Sequence, residues 1–148
     1  MTEEVFTRSA EETEDLGERM GKELAPGMVV VLEGVLGSGK TTFVKGIARG
    51  LGIKERVTSS SFTIISEYEG PFPLVHIDLY RTNSDEELEL LGLGEIIAGN
   101  AVYIIEWGEK ARSFIPAHTK EVSIGIDANG NRKIEIREPG VPPGNPLN

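Results

Sequence analysis

Residues 28–42 read Met28-Val29-Val30-Val31-Leu32-Glu33-Gly34-Val35-Leu36-Gly37-Ser38-Gly39-Lys40-Thr41-Thr42. The opening apolar run, with three valines in succession, is of the kind that lies buried on both faces of a parallel sheet. Gly34 to Thr41 then satisfies G-x-x-x-x-G-K-[ST], after a strand and at the start of a helix, as phosphate binding requires. Gly34, Gly37 and Gly39 allow backbone amides to turn inward where a Cβ would resist. Those amides and the helix N-terminus make a concave anion site for α- and β-phosphates. Lys40 can reach the β- and γ-phosphates, and the Thr41 hydroxyl can ligate Mg²⁺, which takes oxygen ligands. Leu36, Ser38 and Thr42 belong to the same set of expected nucleotide contacts. The competing reading is a chance match in a chain with 18 glycines, and the strand–helix context opposes it.

Outward from this loop, a helix is predicted from about Lys40 to Leu51, with Gly52 as its stop. Upstream, Ser9-Ala10-Glu11-Glu12 is a capping box that starts a helix. Leu16, Met20 and Leu24 follow at intervals of four and face a core, and Pro26-Gly27 closes the segment. Downstream, strands are predicted at Phe62–Ser66, Leu74–Asp78 and Ala101–Glu106. Ser84-Asp85-Glu86-Glu87 opens an acidic helix through about Leu91. Val122 to Ile126 and Ile134 to Ile136 alternate around Asn129-Gly130, the signature of a hairpin at the sheet edge. The pattern is that of an α/β, P-loop NTPase-like three-layer fold, a mixed sheet with a parallel core and an antiparallel edge hairpin. Residues 1–138 are expected to form a single domain. The segment 139–148 holds four of the eight prolines and is expected to be a disordered tail.

Composition narrows the function. The chain has 148 residues, 39% of them hydrophobic, enough for one self-sufficient core. Its formal net charge of −9 argues against DNA coating or attachment to an anionic membrane. Cysteine is absent, which excludes disulfides, iron–sulfur clusters and a thiol nucleophile. The acidic start resembles no signal peptide and no run is long enough to span a bilayer, so a cytoplasmic location is expected. Between residues 34 and 57, Lys40, Lys45, Arg49, Lys54 and Arg56 face only Glu55, a basic island in an acidic chain.

A phosphate loop needs an acid at a neighbouring strand end to serve the metal and the attacking water. Two strands offer one, Val102-Tyr103-Ile104-Ile105-Glu106 and Leu74-Val75-His76-Ile77-Asp78. The motifs that read guanine in GTPases are missing, so ATP is the expected nucleotide.

Together with the loop, the stretches Val57-Thr58-Ser59-Ser60-Ser61-Phe62-Thr63, His76-Ile77-Asp78-Leu79-Tyr80-Arg81 and Ile105-Glu106-Trp107 resemble the TsaE (YjeE) family, in register from about Ser9 to Ile136. The His-x-Asp-x-Tyr-Arg and Ile-Glu-Trp pair is far more specific than a P-loop alone. The resemblance implies an ATPase of bacterial tRNA threonylcarbamoyladenosine synthesis. It would act with the TsaB and TsaD proteins to support multiple turnover, meeting tRNA only through that complex. It further implies ATP or ADP and Mg²⁺ as cofactors, with Thr41 and Glu106 as metal ligands and Lys40, Asp78 and Glu106 in the reaction. Ser59–Thr63 would be a switch segment, and Glu11, near Ala10, would close with Arg132 around the adenine. Two departures stand out: Val35 replaces the usual Asp of the loop, and Ser60-Ser61 replaces Pro-Thr in the switch, which affects turnover more than binding.

Several residues retain two readings. Trp107 is either core filler or a ring facing nucleotide or partner. His76 reads best as a buried, hydrogen-bonded histidine, since no Cys or second nearby His completes a metal site. Tyr80 and Arg81 follow a strand end, where loops carry function. The acidic helix at 85–89 is a solvated face or a docking surface for a basic partner. Two other functions fit a short P-loop chain: a small-molecule kinase, which would need an arginine-bearing lid, and a nucleotide-gated binding module with little turnover.

Overall fold

The computed structural model describes residues 2–34, 38–57, 65–80, 82, 84–116 and 119–138, Gly108 and Glu109 by backbone only. Val35, Leu36, Gly37, the Ser59–Thr63 segment, Arg81 and the 139–148 tail lie outside the described residues.

The strands are β1 (Thr2–Thr7), β2 (Val29–Gly34), β3 (Ile65–Tyr68), β4 (Leu74–Asp78), β5 (Val102–Glu106), β6 (Lys120–Ile126) and β7 (Arg132–Arg137). They form one sheet in the order β1-β7-β6-β2-β5-β4-β3. The centre is parallel, with β2 between β6 and β5 and β4 beyond β5. Antiparallel strands close both sides, β7 and β1 on one and β3 on the other. The hairpin β6–β7 thus joins the sheet through parallel pairing of β6 with β2, and β1 forms the actual edge.

The valine run explains the three layers. Val30 and Leu32 join the core beneath helices α1 (Ala10–Gly21) and α2 (Lys40–Gly50), with Leu16, Met20, Phe43 and Ile47. Val29 and Val31 face the opposite core, with Leu88 of α3 (Asp85–Leu91) and Leu93 and Ile97 of α4 (Leu93–Ile97). Alternate residues of one strand therefore serve both faces.

Local rules place the helix ends. The Ser9 side chain accepts the Glu12 amide at 3.1 Å, and Glu12 Oε1 accepts the Arg8 amide at 2.9 Å. The Ser84 side chain accepts the Glu87 amide at 3.2 Å. Helix α1 ends at Gly21, five residues before Pro26. It unwinds through i→i−3 bonds from Glu23 to Met20 and from Leu24 to Gly21, at 2.9 and 3.2 Å. Leu24 is buried nonetheless. Gly92, at φ 78°, both terminates α3 and starts α4.

Helices α1 and α2 cross at close range through glycines four apart in each, Gly17 and Gly21 against Gly46 and Gly50. Arg49 of α2 adds ion pairs to α1, with Glu14, with Asp15 at 2.8 Å and with Glu18 at 2.9 Å. The basic island of the sequence is therefore smaller in space than in one dimension, because Arg49 is already neutralised.

Candidate nucleotide site

The loop after β2 ends at Gly39, whose φ of 106° directs the chain into α2, and Lys40 is the first residue of that helix. A Cβ on Gly34 would come within 2.7 Å of both the Ile124 carbonyl and the Ser38 hydroxyl. The loop thus needs glycine at 34 to lie against β6. Among the described residues Ser38 Oγ is fully buried with no hydrogen-bond partner, and no side chain caps the first turn of α2. Unsatisfied amides at a helix start attract anions.

Lys40 is nearly buried, with Nζ 3.5 Å from Glu106 Oε1 and 4.8 Å from the centre of the Trp107 ring. Glu106 ends the fully buried strand β5, and its Oε2 lies 2.6 Å from His76 Nε2. Burial pushes the Glu106 carboxyl up. The hydrogen bond from His76 and the charges of His76 and Lys40 outweigh this and hold it below the usual carboxylate range. Glu106 is accordingly an anion at neutral pH. Asp78 stands directly opposite Glu106 in the parallel β4–β5 register, and its Oδ1 accepts the Tyr80 amide at 3.0 Å.

A depressed carboxyl carries a pH signature. The stabilisation from ionised Glu106 is complete above the ordinary carboxylate range and is lost as pH falls through its lower folded-state value. The difference in melting temperature between the unmodified chain and Glu106→Gln should therefore shrink as pH drops below that range. A difference constant from neutral pH down to pH ~3 would contradict this.

Trp107 follows at φ 62°, a left-handed conformation costly for a bulky residue. The kink turns β5 into the 3-10 turn Gly108–Ala111 and brings the indole against both Lys40 and Tyr80, the latter at 4.9 Å between ring centres. Lys110 of that turn donates to the carbonyls of Tyr80 and Thr82, both at 2.8 Å. Trp107 also packs on the α3–α4 core, as the core reading of it expects.

Beside the loop lies a cavity of about 240 Å³, lined by Thr7, Arg8, Ser9, Ala10, Thr13, Gly39, Thr42, Gly130 and Arg132. Thr7 and Arg132 face each other in the β1–β7 register, and Thr7 shares a buried hydroxyl–hydroxyl bond of 2.6 Å with Thr13. Arg132 and Thr42, both expected to contact nucleotide, line this one cavity, Thr42 beside the start of α2. Glu11 does not line the cavity; its neighbours Ser9 and Ala10 do, because the helical turn carries Glu11 outward into solvent. The lining residues Thr7, Arg8, Thr13 and Gly130 were not among the expected contacts: no phosphate motif contains them, and the pairing of β1 with β7 and the packing of α1 bring them beside the loop.

These groups fit a magnesium-bound nucleoside phosphate. Hard oxygen donors are at hand in Thr41 and an ionised Glu106, a buried hydroxyl at Ser38 lacks a partner, and a nucleoside-sized recess adjoins the helix start. Among the described residues no cluster of three or more His, Asp or Glu could hold a metal by itself.

Comparison with known proteins agrees with this geometry. Residues 7–134 match the family described as Threonylcarbamoyl adenosine biosynthesis protein TsaE. The chain is 45% identical over 130 residues to the tRNA threonylcarbamoyladenosine biosynthesis protein TsaE of Treponema pallidum, covering 88% of this chain and 96% of that one. The Bacillus subtilis protein of the same name is 40% identical over 135 residues, covering 90% and 84%. The crystal structure of Bacillus subtilis YdiB superposes with a TM-score of 0.82 at 35% identity, covering 95% of this chain and 87% of that one. With the family signature spanning nearly the whole folded region, the chain belongs to the TsaE family of threonylcarbamoyl adenosine biosynthesis proteins.

Proposed function

We propose that the chain binds and hydrolyses Mg-ATP in support of tRNA threonylcarbamoyladenosine formation, acting with TsaB and TsaD and meeting tRNA only through them. The observation that carries this reading is the pairing of Lys40 with an ionised Glu106 at the carboxyl ends of β2 and β5, beside the cavity that reaches Arg132. Amides at the start of α2 and Ser38 hold phosphate oxygens, and Lys40 leaves Glu106 to neutralise the β- and γ-phosphates. Thr41 and Glu106 would hold magnesium, which would offset charge on the phosphates. Asp78, across from Glu106, orients the attacking water. The Thr13–Thr7 wall and Arg132 receive the nucleoside.

The test is phosphate release from Mg-ATP, for the chain alone and with the TsaB–TsaD pair. Marked stimulation by the pair is expected. Bound ATP without phosphate release in either state would replace the ATPase reading with a nucleotide-gated binding module. Glu106→Gln should lower hydrolysis by about 10²–10⁴-fold, the usual worth of a group that serves the metal or the attacking water, while ATP remains bound. An unchanged rate in the assembled complex would remove Glu106 from the reaction.

A further inference from the structure

His76 is 2% exposed, and only one of its two ring nitrogens is used. Nε2 lies 2.6 Å from Glu106 Oε2, while Nδ1 is buried with no hydrogen-bond partner among the described residues. A carboxylate can only accept, so Nε2 carries the hydrogen and Nδ1 is not the group that holds the ring. The nitrogen with a partner is the one that grips the acid of the candidate nucleotide site.

We infer that His76 is the positioning residue that fixes the Glu106 carboxylate for metal binding, holding Oε2 so that Oε1 points to the nucleotide when Lys40 departs. The reasoning rests on the proposed Mg-ATP reading. Glu106 has two holds, Lys40 on Oε1 at 3.5 Å and His76 on Oε2 at 2.6 Å. Lys40 sits on a flexible stem and is needed at the phosphates, so its hold is temporary. His76 sits mid-strand in β4, one step before Asp78 on the same face, and cannot follow. Once Lys40 swings away, His76 alone prevents the carboxylate from rotating among its rotamers. Partners of this kind orient metal ligands, and their loss lowers metal affinity or activity by about 10- to 100-fold.

The geometry of amide side chains gives a discriminating pair of variants. The amide nitrogen of Gln reaches the place of Nε2, whereas that of Asn reaches only the place of Nδ1. The experiment measures ADP affinity with and without Mg²⁺ by calorimetry, and kcat and KM for ATP in the complex with the TsaB–TsaD pair. In the unmodified chain Mg²⁺ should tighten ADP binding. His76→Asn should abolish most of that gain and lower kcat by about 10- to 100-fold with little change in KM, while metal-free ADP binds as before. His76→Gln should restore both properties to within a few-fold. A purely structural role would lower melting temperature in both variants alike and leave the Mg²⁺ gain intact, which would overturn the inference. If the unmodified chain binds Mg-ADP but releases no phosphate, the ATPase reading fails while the calorimetric comparison still decides the role of His76. If Mg²⁺ leaves ADP affinity of the unmodified chain unchanged, both fall.

Discussion

Lys40→Ala is expected to weaken ATP and ADP binding by about 10²–10⁴-fold, the loss of two charge-assisted hydrogen bonds at roughly 1.5–3 kcal/mol each. The effect is large because the other cations of α2 are turned away or already paired. Lys45 lies further along the exposed side of α2, and Arg49 is tied to three carboxylates of α1. The fold should survive, since Glu106 retains His76 and the helix start gains a good helix former. Calorimetric titration alongside a melting curve separates the two properties. A variant that melts normally and binds within about threefold of the unmodified chain would show that Lys40 stays on Glu106 and does not reach the phosphates. Lys40→Arg tests shape against charge: the guanidinium keeps the charge but not the compact ammonium, and so should recover only part of the affinity.

The elements legible in the sequence were those with strong local rules. Valine runs and the capping serines at 9 and 84 dictate their own geometry from adjacent residues; Asn129-Gly130 marks the hairpin, but the loop is longer than the two-residue turn it signals, with the Gly130 amide on the Asp127 carbonyl and Arg132 pairing with Ile126. β1 was not legible, because Glu3 and Glu4 make a charged edge strand whose partner, β7, lies more than a hundred residues later. The short helix α4 was hidden by Gly92, which reads as a stop and here also opens the next turn. The site divides in the same way. Lys40, Thr41 and Glu106 are found by motif and strand-end logic. The Thr7–Thr13 wall depends on long-range pairing, and the His76–Glu106 bond on a diagonal contact between parallel strands that no local pattern encodes. The left-handed Trp107 is likewise invisible, since residue type argues against that conformation and the packing of Lys40 and Tyr80 around the indole imposes it.

The helix crossing supplies the second large effect. Glycine inside a helix is ordinarily replaced by alanine with a gain of about 0.4–1 kcal/mol, through lower entropy of the unfolded chain. At Gly94, in α4, nothing lies closer than 4.0 Å to the position of an added Cβ, so Gly94→Ala should follow that rule. Gly46 should reverse it. A Cβ there would run into the carbonyl of Glu14 and come within 2.9 Å of the Glu18 amide, both backbone atoms of α1. A side chain could turn aside, but a hydrogen-bonded helix backbone must move as a body. Overpacking of this kind is destabilising by about 1–3 kcal/mol, and more where the obstacle is rigid. We expect Gly46→Ala to lose at least about 3 kcal/mol, or roughly 6–12 °C in melting temperature for a chain of this size. The shift should also reach the cavity, whose walls include Ser9, Ala10 and Thr13 from the start of α1 and Gly39 and Thr42 from the start of α2. Separation of the helices displaces one wall from the other, so nucleotide affinity measured well below the melting temperature should fall as well. A Gly46→Ala variant as stable as Gly94→Ala would mean that the two helices are not in backbone contact, and the geometry of the cavity would have to be redrawn from that end.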